Sequence, residues 1–140
     1  MRTRLVLGTC LLLSAACSGK PYKLAPVSGK ITLNGKPLAN AWVHFAPKSS
    51  EDQFNPGPTS HGQTNADGIF TLQLEPNVSG AVVGKHTVFI SLVKGGSTAA
   101  DAGNRRGVER IPRRYNMESI LEFDVSTQGT QEANFSLDSP

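Results

Sequence analysis

Three histidines, one Asn-x-Asp-Gly run and a cluster of arginines are the residues on which chemistry could be built. In "QTNADGIFTLQL", Asn65, Asp67 and Gly68 have the spacing that begins a calcium loop. Such a loop needs several more oxygen ligands, including a Glu at its twelfth position, and flanking helices. Gln63 and Ile69 stand at the next alternating positions. A tight turn explains every residue, because Asn and Asp bond their local backbone and Gly supplies positive φ. The expectation is a turn and no metal.

The histidines give no paired spacing such as H-x-x-x-H. His44 alternates against Val43 and Phe45, whereas His86 shares parity with Val88 and Ile90. They are expected on opposite faces, with His61 opening a separate strand. No G-x-S-x-G nucleophile elbow occurs. Lys30 and Asn134, the pair an internal Lys–Asn bond would need, both alternate against apolar neighbours and should face solvent. The reading is a non-enzyme without a cofactor.

Two surface features remain. Arg105, Arg106, Arg110, Arg113 and Arg114 fall within ten residues, with Glu109 opposing them. They form a candidate anion-binding site, for head groups or acidic glycan. Trp42 and His44 share the outer parity of their strand. They form a candidate contact surface for a protein or a glycan.

The elements that must position these residues are short strands. "VSGKITL", "AWVHF", "IFTLQL", "AVVGKHTVFISL", "SILEFDV" and "ANFSL" alternate with period two, and turn residues separate them. Asn34-Gly35 is a hairpin signal. With about seven strands and no helical stripe, a β-sandwich is expected. Pairing is expected to be antiparallel, because crossover helices are absent. Residues 93–110, rich in Gly and Ala, read as a long flexible loop.

The N-terminus reads as an address. "MRTR" followed by the uncharged run "LVLGTCLLLSAA" has the plan of a secretory signal and is too short to span a bilayer. "LSAAC" resembles the bacterial lipobox, with Ser14 where Leu or Val is usual. That resemblance implies diacylation of Cys17, with Ser18 in place of the Asp that favours inner-membrane retention. Both cysteines lie in the first 17 residues, so the body has no disulfide. Residues 1–16 are then a signal peptide, 17–26 a mobile tether and 27–138 the sandwich. The expected location is the outer membrane, facing the periplasm or the cell surface. Removing Arg2 and Arg4 from a net charge of +3 leaves +1, which argues against nucleic acid as a partner.

The body resembles carboxypeptidase regulatory-like domains, which belong with the transthyretin-like (prealbumin-like) sandwiches. "VSGKITLNGKPLANAWVHFAP" is similar to their V-x-G-x-V strand and G-x-P-L-x-x-A-x-V-x-F run, through Val27, Gly29, Ile31, Gly35, Pro37, Leu38, Ala41, Val43 and Phe45. "GQTNADGIFTL" is similar to T-x-x-x-G-x-F-x-L, through Thr64, Gly68, Phe70 and Leu72. "VVGKHTVFI" is similar to G-x-Y-x-V, with His86 replacing the aromatic residue. "IPRRYN" and "ANFSL" resemble a subset in small bacterial lipoproteins. The resemblance implies an all-β, seven-stranded antiparallel Greek-key sandwich and a non-catalytic module. Its expected partners are the membrane, through Cys17, and an envelope protein or glycan. The alternatives are a secreted small-molecule or glycan binder, and a transthyretin-related hydrolase. The hydrolases end in a Tyr-Arg-Gly-Ser-type motif, whereas this chain ends "FSLDSP".

Overall fold

The computed structural model describes residues 19–52, 54–92 and 110–140. The expected signal peptide, Cys17, Arg105, Arg106 and residues 93–109 of the expected flexible loop lie outside the described residues.

The described residues are all-β. The strands are β1 (Leu24–Ala25), β2 (Ser28–Leu33), β3 (Lys36–Pro37), β4 (Trp42–Pro47), β5 (Ser60–Gln63) and β6 (Ile69–Thr71). They continue with β7 (Gln73–Glu75), β8 (Val78–Ser79), β9 (Ala81–Val82), β10 (Gly84–Ser91), β11 (Glu122–Val125) and β12 (Phe135–Leu137). One layer is a six-stranded sheet in the order β11-β10-β4-β5-β7-β8. The other is built on β12-β2-β3, with β6 also paired to β2. The arrangement fits a β-sandwich broadly. Among the described residues, no helix is long and apolar enough to cross a membrane.

Parity makes the core. Val43 and Phe45 on β4 and His86, Val88 and Ile90 on β10 face inward from the six-stranded sheet. Ile31, Phe70, Phe135 and Leu137 meet them from the other layer. Phe45 is the hub, with ring centroids 6.3 Å from Phe70, 6.1 Å from Phe135 and 5.7 Å from Phe123. These tilted and edge-on contacts are the favourable geometry for aromatic pairs.

Turn chemistry sets the register. Asn34 and Gly35 have φ of 52° and 78°, which closes the β2–β3 hairpin. Leu72 marks a change of layer: β6 before it pairs with β2, and β7 after it pairs with β5 through His61 and Gln73. The run expected as one strand, "IFTLQL", therefore serves both sheets.

Two expectations need correction. First, pairing is not uniformly antiparallel. β12 lies parallel to β2, with Phe135 opposite Ile31 and Leu137 opposite Leu33. Between them the chain passes through β4, β5, β7, β8, β10 and β11 of the six-stranded sheet, whereas β3 and β6 pair with β2 itself. Second, the tether is shorter than expected. Leu24 and Ala25 pair with Val82 and Ala81, and Ala25 is buried. The folded body begins at β1, because Ala25 is small and apolar enough to enter the core edge.

Two glycines are needed where the layers close. A Cβ on Gly29 would lie 2.0 Å from the Ala133 carbonyl oxygen, beside β12. Gly68 has φ of 76°, and a Cβ there would lie 2.5 Å from the Ile31 carbonyl oxygen. Any side chain at either position would push strands apart.

Candidate functional site

The Asn65 side chain bonds the backbone of its own turn. Asn65 Oδ1 accepts from the Asp67 N–H at 2.9 Å and the Ile69 N–H at 3.0 Å. The Gly68 N–H donates to the Asn65 carbonyl at 2.9 Å. The side-chain oxygen that a cation would require already holds the turn. Among the described residues, no group of three or more His, Cys, Asp or Glu side chains is placed to hold a metal ion.

The histidines separate into two environments. His86 is fully buried and packs on Phe45 at 5.6 Å between ring centroids. Its Nδ1 lies 2.9 Å from the Gly84 carbonyl oxygen. A carbonyl only accepts, so Nδ1 carries the proton and the neutral ring leaves Nε2 as an acceptor. That Nε2 is buried with no hydrogen-bond partner among the described residues. Burial holds His86 below the usual histidine pKa, against the opposing pull of the Gly84 carbonyl and Asp124.

His44 lies on the opposite, outer face of the six-stranded sheet. The structure also brings it a partner that its sequence position conceals. His61 sits directly across from it in the β4–β5 register, and Trp42 lies opposite Gln63. Ring centroids are 6.4 Å apart for His44–His61, 6.5 Å for Trp42–His44 and 6.4 Å for Trp42–His61. The three rings form a triangle on one face. Burial and the neighbouring His61 hold His44 below the usual histidine pKa. Its Nε2 is buried with no hydrogen-bond partner among the described residues. The short run "HGQ" has no apolar alternation, so no signal in the sequence assigns His61 a face.

A shallow groove of about 470 Å³ opens beside this triangle. Trp42, His61, Gln63, Thr71 and Gln73 contribute to its lining, which among the described residues holds no Asp, Glu, Lys or Arg. Trp42 and His61 are half-buried, and Gln63, Thr71 and Gln73 are exposed.

Of the candidate arginines, Arg110, Arg113 and Arg114 are among the described residues. Arg113 pairs with Glu118 at 2.7 Å, a partner the sequence reading overlooked. The Arg114 guanidinium lies 4.7 Å from the centre of the Tyr115 ring and donates to the Asp138 carbonyl. Arg110 is exposed. Ile111, before the short 3-10 turn Arg113–Tyr115, and Tyr115, which ends it, are buried in the core. They pin the end of the arginine-rich segment to the body. Lys30 and Asn134 both face solvent, and the Lys30 backbone N–H donates to Asn134 Oδ1 at 2.9 Å.

No protein-family model, curated protein or solved structure matches the chain.

Proposed function

We propose that the protein is a non-catalytic, lipid-anchored module of the bacterial cell envelope, and that the outer face of its six-stranded sheet makes contact with an envelope protein or glycan. The observation that carries this reading is the Trp42–His44–His61 triangle on the solvent side of that sheet, next to a groove whose lining, among the described residues, holds no Asp, Glu, Lys or Arg. The finer fold assignment, a Greek-key sandwich of the transthyretin-like, carboxypeptidase regulatory-like kind, belongs to the same proposal. It is supported by Gly29 and Gly68, the motif glycines, standing where closing strands leave no room for a Cβ. It is also supported by His86 packing as an aromatic ring in the third motif.

The anchor rests on "LSAAC" and the apolar run before it. Two acyl chains give stable attachment where one gives marginal binding. The intact mass of the protein extracted from membranes with detergent tests this part. The expected result is the peptide Cys17–Pro140 plus a diacylglyceryl group and an acyl group. A plain peptide mass beginning at Cys17, recovered from the soluble fraction, would overturn the anchor and favour a secreted binder.

A further inference from the structure

We propose that the groove beside Trp42 takes a neutral, hydroxyl-rich ligand, a short stretch of uncharged glycan. This rests on the proposal that the outer sheet face is the contact face, and it names the chemistry of that contact.

The lining selects the ligand class. Among the described residues the lining holds no Asp, Glu, Lys or Arg, so no carboxylate, ammonium or guanidinium there compensates a charged ligand that gives up its water. Gln63 and Gln73 each present a carbonyl acceptor and an amide donor, and Thr71 presents a hydroxyl that does both. Sugar hydroxyls need this mixture, because each one donates and accepts. Trp42 adds a flat apolar surface with a ring electron cloud, suited to the C–H face of a pyranose. A peptide anchored by apolar side chains would find few partners, since Ile69 and Trp42 are the large apolar residues of the lining.

Position in the sheet sets the length. Trp42 on β4, Gln63 on β5 and Gln73 on β7 lie on three adjacent strands. Two strand spacings cover about 10 Å, room for roughly two hexose rings. All three side chains stand on outward positions of rigid strands, so little ordering is needed on binding.

Trp42 is the one tryptophan of the sequence, so its fluorescence reports the groove directly. The full-length chain in detergent micelles is titrated with cellotetraose, maltotetraose and chitotetraose, and with anionic tetragalacturonate. The expected result is a saturable emission change with at least one neutral tetrasaccharide below about 10 mM, and none with tetragalacturonate. Gln73→Ala, at an exposed position, should weaken that binding about fivefold or more. Absence of a response to all three neutral sugars, or an equal response to the anionic one, overturns the inference. A photo-cross-link from Gln63 to an envelope protein, together with no sugar response, would remove the glycan and keep the contact face. A sugar response, together with a plain peptide mass for the protein recovered from the soluble fraction of cells, would keep the groove and remove the anchored module.

Discussion

Strand β4 carries two surfaces on alternate residues. Val43 and Phe45 point inward and are fully buried, whereas Trp42 and His44 point outward and are half-buried. The same contrast separates the histidines. His86 sits inside against Phe45, and His44 sits outside with His61 and Trp42. One backbone thus presents two surfaces. The inner face binds the layers together, and the outer face presents Trp42, His44 and His61. The inner ring is aromatic because packing demands area. The outer rings are mixed with amides, which packing does not demand.

The largest expected effect lies inside. Phe45→Ala should destabilise the fold by about 3–5 kcal/mol, since it opens a cavity against Phe70, Phe123, Phe135 and His86. Trp42→Ala, one residue earlier, should cost about 1–2 kcal/mol at most. Urea unfolding of both variants measures the pair. Equal losses would break the distinction between the faces.

Acid should expose the two histidines next. His44 and His86 are both held below the ordinary histidine value, chiefly by burial. The unfolded chain therefore takes up protons below about pH 6.5 while the folded chain resists them. Their contribution is fully present above that pH. It is lost as pH falls from there through the folded values. His86→Leu keeps an apolar group in the core and removes one of the two titrating sites. The fall in melting temperature from about pH 7.5 to about pH 5 should be smaller in this variant than in the parent. An unchanged fall would show that the inner histidine is not a buried neutral ring.

The smallest effect belongs to the turn. Asn65→Ala removes the acceptor of two backbone N–H bonds and should cost about 1 kcal/mol. Calcium should leave the melting temperature of the parent unchanged. A rise with calcium and a fall with chelator would replace the turn reading by a metal site.

Parity along each strand was legible in the sequence, because alternation records which face is buried. Val43, Phe45, Val88, Ile90, Ala133 and Leu137 all lie inside as alternation requires. Partner choice was not legible. The parallel pairing of β12 with β2 depends on where the chain re-enters the layer, and no residue of "ANFSL" encodes that. The meeting of His44 with His61 depends on register across the intervening loop. The Arg113–Glu118 pair and the burial of Ile111 and Tyr115 were hidden for a related reason. They sit beside a charged, proline-containing run with no periodicity to read.

The central claim is that the outer face of the six-stranded sheet is the working surface. Photo-cross-linking in intact cells compares it with the opposite layer. A photoreactive residue replaces Gln63, exposed on the outer face of β5, or Ser136, exposed on β12. The account predicts a discrete cross-linked envelope component from position 63 and none from position 136. Equal products from both positions, or a product from position 136 alone, would contradict it.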